Sequence, residues 1–299
     1  MNNLIILYGI LTLNTDVTQI CLNQLTRHNK ICIPQDDHNR SYIFTDHLPG
    51  VEKKIFIIIN NNIFDYDQSF TVIINLIDYT INTIKNREID NELNIIHNKL
   101  HIKYGSLNDE LIEQKMVVKY LTGNEKVLEI GSNIGRNSLV IASIVNNDNF
   151  LTLESDPDIF KQLQVNKNLN DFTFHIENSA LSKRKLIQQG WDTTPNDVLE
   201  EGFKWVNVVD WDELKLKYPI DFDTLILDCE GAFYYILKDM PEILDNIKLI
   251  IMENDYHDLS HKIYIDDVLC KNNFYNIYKH KGGWGHCYYN FYEVWQKIL

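Results

Sequence analysis

The sequence predicts an α/β protein built on a doubly wound, mostly parallel sheet, and three observations carry this. An apolar run, Lys126–Ile130, a glycine turn, Gly131–Gly135, and a helical run, Asn137–Ala142, follow one another directly. From about residue 90 onward, apolar runs of strand length alternate with helical stretches. The last two β-prone runs, Asn273–His280 and Cys287–Trp295, flank Gly282-Gly283-Trp284-Gly285 and read as a hairpin. Parallel strands need crossover connections, usually helices, so the alternation argues for a parallel sheet covered on both faces. The expected fold is therefore α/β: a Rossmann-like, doubly wound, mostly parallel seven-stranded sheet with an antiparallel C-terminal hairpin.

Taken in order, the elements begin with short β-prone runs at Leu4–Ile10, Lys30–Ile33, Ser41–Phe44, Lys54–Asn60 and Phe70–Ile77. Turn-forming stretches such as Gln35–Asn39 and Leu48-Pro49-Gly50 separate them. A helix is expected over Asp78–Lys85. Residues 1–88 thus read as a small β-rich N-terminal domain and residues 89–299 as the α/β domain. In the latter, a helix containing Glu110–Val118 precedes the first strand, and Phe150–Leu153 makes the second. Helical Asp158–Asn168 follows, then strands at Thr173–Ile176, Thr224–Asp228 and Leu249–Glu253.

Bulk properties exclude several classes. A chain of 299 residues with 44% hydrophobic and 23% charged residues suits one large globular domain with a smaller companion. A net charge of -14, without a dense basic stripe, argues against a nucleic-acid partner. Five cysteines without a C-x-x-C pair read as free thiols in a reducing compartment, expected to be the cytoplasm. The apolar start, Leu4–Leu11, is too short for a membrane span and lacks signal-peptide flanks, so no membrane partner is expected.

The glycine turn narrows the ligand. Glu154 ends the second strand where an acid grips the hydroxyls of a ribose. A dinucleotide fingerprint would need glycine where Asn133 and Arg136 stand, and Walker A would need Gly-Lys-Ser/Thr. What remains, acid-x-Gly-x-x-x-Gly at Glu129, Gly131 and Gly135, is similar to the first motif of class I S-adenosylmethionine-dependent methyltransferases. Gly131 allows close approach of the backbone, and a helix starting near Gly135 would turn its amides toward a carboxylate. Glu129 would offset a cationic centre. Ser132 and Asn133 in the turn and Ser155 after the acid complete the expected cofactor shell, to which Asp228 is added.

Four ordered segments, Glu129–Leu139 (EIGSNIGRNSL), Leu153–Asn170 (LESDPDIFKQLQVNKNLN), Glu177–Ser182 (ENSALS) and Asp223–Ala232 (DTLILDCEGA), resemble successive motifs of the FkbM family of methyltransferases. The layout of the whole chain resembles methyltransferases of large DNA viruses. The resemblance implies S-adenosylmethionine as cofactor and methylation of a hydroxyl, mostly on sugars in glycans, nucleotide-sugars or other secondary metabolites. It also implies that Asn178, Ser179 and Ala180 flank the adenine. Two positions depart from the family pattern: Ile226 replaces a usual lysine, and Phe233 a usual acid.

An unactivated hydroxyl needs a base, and candidates belong at the carboxyl ends of central strands. Asp228 and Glu230 after the fourth strand, Glu253 ending the fifth, and His257 beyond it are the catalytic candidates. Asp228 and Glu253 would suit a divalent cation such as magnesium, although no spacing requires one and no metal ligands are assigned. The pairs His97/His101 and His257/His261 lack the third ligand a zinc site needs. Trp284, in its glycine loop, is the candidate platform for the acceptor. The N-terminal domain is expected to position substrate or to mediate homodimer formation. Two other classes compete: a non-catalytic scaffold that keeps the fold, and an NAD(P)-linked sugar-modifying oxidoreductase.

Overall fold

The structure, a computed structural model, describes residues 4–85, 89–190, 192–283 and 285–297. The chain divides into two compact units, Met1–Arg87 with Tyr275–Tyr278, and Glu88–Phe274 with Lys279–Leu299.

The first unit contains β1 (Leu4–Ile10), β2 (Leu13–Asp16), α1 (Thr18–Gln24), β3 (Thr26–Arg27), β4 (Lys30–Ile33), α2 (Asp37–Phe44), β5 (Lys54–Ile59), β6 (Asn62–Tyr66), β7 (Phe70–Asn75) and β8 (Ile81–Lys85). They form two four-stranded sheets, ordered β2-β1-β5-β6 and β3-β4-β7-β8. Ile6, Ile31, Ile33, Ile55, Ile57 and Val72 from both sheets share one buried cluster.

Two expectations fail in this unit. Ser41–Phe44 is the end of helix α2, not a strand. Arg40, fully buried in that helix, donates to the carbonyls of Pro34, Asp67 and Phe70 at 2.9, 2.9 and 2.7 Å. This tertiary anchoring overrides the local β propensity of the segment. Asp78–Lys85 is not a helix either. Ile81–Lys85 pairs antiparallel with β7, and the Asn75 and Asp78 side chains accept from the amides of Ile77 and Thr80, closing a hairpin turn.

The second unit begins with α3 (Ile89–His97) and α4 (Leu111–Tyr120), then β9 (Val127–Ile130), α5 (Arg136–Ala142), β10 (Phe150–Leu153) and α6 (Pro157–Asn168). It continues with β11 (His175–Glu177), β12 (Ala180–Leu181), β13 (Leu186–Gln189), β14 (Asp192–Pro195), β15 (Lys204–Val206) and β16 (Val208–Val209). It closes with α7 (Trp211–Lys217), β17 (Thr224–Leu227), α8 (Phe233–Asp239), β18 (Leu249–Glu253), α9 (Leu259–Lys271), β19 (Phe274–His280), whose residues Tyr275–Tyr278 fall in the first unit, and β20 (Tyr292–Lys297).

Seven strands make one sheet in the order β11-β10-β9-β17-β18-β20-β19. The first five pair in parallel, and β20 runs antiparallel to β18. Every residue of β9, β10 and β17 is buried, as expected of parallel strands covered on both faces. Strand order reverses at β9: the chain moves outward to β10 and β11 on one side, then returns to β17 and β18 on the other. Ligands bind at such a switch point, outside the carboxyl ends of the strands. Cys287–Asn290, expected at the start of the last strand, belong to a 3₁₀ turn at Gly285–Asn290, so β20 starts at Tyr292.

Residues 180–209 hold the strands β12 to β16. They form a parallel pair, β12 with β16, and a three-stranded antiparallel flap, β14-β13-β15. Among the described residues, no helix is long and apolar enough to cross a membrane.

Candidate active site

A cavity of about 710 Å³ opens at the carboxyl ends of β9, β10, β17 and β18. That volume lies in the range of small-molecule sites. Each central strand contributes the residues that follow it: Gly131 and Asn133 after β9, Glu154 and Ser155 after β10, Asp228 and Glu230 after β17, and Glu253 at the end of β18.

The glycine turn is shaped by contact with the neighbouring strand. Gly131 has φ 87°, and a Cβ there would stand 1.6 Å from the Asp228 carbonyl oxygen, so any side chain would collide with backbone. The Gly131 and Ser132 amides donate to the Leu153 carbonyl at 3.1 and 3.2 Å, which draws the turn across the end of β10. Gly135, at φ 90°, caps α5; a Cβ there would meet Leu163 at 2.3 Å. Asn133 adopts the left-handed region, which asparagine tolerates better than most residues.

Glu154 is held in place by its neighbours. Its Oε1 accepts from the Asp156 amide at 2.8 Å, while Asp156 itself caps α6 ahead of Pro157. Burial pushes the Glu154 carboxyl up to about 7 against the lowering influence of the Asp156 and Asn133 amides.

At the other end of the cavity three carboxylates converge. Glu113 from α4, Asp228 and Glu253 each offer an oxygen within 4.8 Å of the others. Burial raises all three above the usual carboxylate range, and for Glu113 and Asp228 mutual repulsion with the neighbouring acids adds to it. Hydrogen bonds from Glu113 and from the Tyr292 hydroxyl favour the charged form of Glu253. With all three carboxyls raised, the cluster favours holding a proton among them. Its oxygen-only donor set is also of the type that holds a hard divalent cation. Among the described residues it is the sole grouping of three such side chains close enough to do so.

Other expected residues lie elsewhere. Glu129 does not line the cavity; it is 1% exposed and accepts from the Ser138 hydroxyl beneath α5. It sits within β9, so its side chain points to a sheet face, whereas Glu154 follows the end of its strand. Ser132 is also buried off the cavity, its hydroxyl donating to the Leu153 carbonyl at 3.2 Å. Gly135 shapes the turn without lining the space. Asn178 buttresses the wall from behind, donating to the Glu154 carbonyl at 2.8 Å, while Ser179 and Ala180 line it. His257 is exposed and outside the lining. Trp284 lies outside the described residues. His97 bonds Gln114 at 2.6 Å, and His261 stacks on Tyr234 at 3.6 Å, so neither tests as half of a metal pair. Ile226 and Phe233, the two departures from the family pattern, are buried core positions.

Sequence reasoning missed Glu113, Glu110, Tyr292 and Gln188, all of which line the cavity. Glu113 carries no signal of this in the sequence, because its helix mixes it with Gln114, Lys115 and Lys119, and only packing buries it.

No protein-family model and no curated protein matches this chain. Solved structures do show likeness. A proposed O-methyltransferase from Klebsiella pneumoniae is 14% identical, over 71% of this chain and 90% of its own, with a TM-score of 0.40. A methyltransferase from Pyrococcus furiosus is 15% identical, over 70% and 99%, at 0.37. An rRNA methylase from Streptococcus thermophilus is 8% identical, over 63% and 95%, at 0.40. At such scores these likenesses carry no functional argument.

Proposed function

We propose that this protein is an S-adenosylmethionine-dependent O-methyltransferase acting on the hydroxyl of a neutral sugar, as found in glycans. One observation carries the reading: the cavity at the strand ends is lined by eight acids, Glu110, Glu113, Glu154, Asp156, Asp228, Glu230, Asp239 and Glu253, and among the described residues by no lysine or arginine. A sulfonium cofactor with an amino group is cationic and matches such a wall. The pyrophosphate of a dinucleotide, or the phosphates of a nucleic acid or nucleotide-sugar, would find no lysine or arginine among the described lining residues to pair with.

In this reading Glu154 accepts from the ribose hydroxyls, and the Gly131 turn lets the cofactor approach the backbone. At the opposite end, Asp228 or Glu253 would accept the proton of the acceptor hydroxyl while the bound cofactor would supply the methyl electrophile. Glu113 and Tyr292 hold Glu253 for this task. The motif segments that resemble the FkbM family support a sugar as acceptor, and the β-rich N-terminal unit is assigned to acceptor positioning or self-association.

Isothermal calorimetry with S-adenosylmethionine, S-adenosylhomocysteine and NAD tests the reading. Micromolar binding of the first two without the third is expected. No binding below millimolar concentration would sink it. Transfer of labelled methyl to a panel of neutral glycans then identifies the acceptor.

A further inference from the structure

Resting on the cofactor reading above, we infer that Gln188 reads the exocyclic amino group of the adenine, and that the β13–β15 flap is the purine-binding wall. Leu186 and Gln188 stand two apart on β13 and so share one face. Their cross-strand partners on β14 are Pro195 and Thr193. All four line the cavity. The inner face of the flap thus carries two apolar surfaces, one hydroxyl and one amide.

The flap is tied to the loop that holds the ribose acid. Gln188 Nε2 donates to Ser155 Oγ at 3.2 Å, directly beside Glu154. From β15, Lys204 pairs with Asp156 at 2.5 Å. A base attached to a ribose held at Glu154 therefore extends toward Ser155 and Gln188, with Ile159 and Leu181 as further apolar lining.

Gln188 is 6% exposed, and its Oε1 is buried without a donor. A buried acceptor without a partner is costly, and an N–H brought by a ligand would offset that cost. The Nε2 end of the amide is already engaged, which leaves the carbonyl for that role. An amino-purine offers such a donor; a purine with hydrogen at C6 does not.

The test compares S-adenosylhomocysteine with its analogue bearing hydrogen in place of the 6-amino group, by calorimetry on the full-length protein. The wild type should bind the analogue about tenfold more weakly, the effect of one hydrogen bond. In Gln188→Leu the two ligands should bind within about twofold of each other, since the acceptor is gone. Gln188→Ala provides the same comparison if the leucine variant melts early. Equal binding of both ligands to the wild type, or a tenfold ratio that persists in either variant, would overturn the inference while leaving the cofactor reading intact. Failure of the wild type to bind S-adenosylhomocysteine at all would overturn both.

Discussion

The Asp228 carbonyl oxygen occupies the place a side chain would take at residue 131: a Cβ built on Gly131 lies 1.6 Å from it. Two strand ends are thereby locked together, the one that makes the cofactor turn and the one that carries the candidate base. Gly131→Ala should destabilise the protein by roughly 2 kcal/mol or more, because it adds both a backbone collision and a strained positive φ. Urea unfolding measures this, and an alanine variant as stable as the wild type would contradict the geometry.

Glu154 should couple cofactor binding to pH. Burial raises its carboxyl to about 7, yet ribose hydroxyls need the ionised form as acceptor. Affinity for S-adenosylhomocysteine should therefore rise about tenfold from pH 6 to pH 8, with proton uptake by the buffer. Glu154→Gln should weaken binding by roughly tenfold or more at pH 8 and flatten the profile. Calorimetry in two buffers of different ionisation enthalpy reads both effects.

At the acceptor end, Asp228→Asn and Glu253→Gln remove proton acceptors without changing size. Turnover should fall by about 10²–10⁴, the usual worth of general-base help. Cofactor affinity should change far less, so single-turnover rates and binding constants separate the roles. A fully active Asp228→Asn would return the base assignment to Glu253.

Glu129 gives a stability prediction with a definite sign. Burial lifts its folded-state carboxyl to about 7, above an unfolded value near 4.5. The folded protein then binds the proton more tightly, so this contribution to stability is fully present below pH 4.5 and is lost as pH rises through 7. Glu129→Gln keeps an acceptor for Ser138 and removes the ionisation. Its stability relative to wild type should improve between pH 5 and pH 8 by on the order of 2 kcal/mol, as followed by denaturant titration across that range.

Much of the parallel sheet was legible because its central strands are buried on both faces, and burial selects uninterrupted apolar runs such as Thr224–Leu227 and Leu249–Met252. The flap was not, because strands such as Lys204-Trp205-Val206 are short and partly exposed and acquire their identity from pairing. Likewise α2 depends on the carbonyls that Arg40 reaches, some of them about thirty residues along the chain.

The same division holds in the candidate site. Glu154, Asp228 and Glu253 could be placed from sequence because each stands at a strand's carboxyl end, and strand ends in such a sheet meet on one edge. By itself the sequence determined the strand–turn–helix unit and the acids at the strand ends, both of them local consequences of residue order. Only the tertiary structure decided that Glu129 turns beneath α5, that Glu113 from a preceding helix joins Asp228 and Glu253, and that Gln188 lines the cavity. Those three depend on which faces pack together, and packing is settled by contacts between residues far apart in the chain.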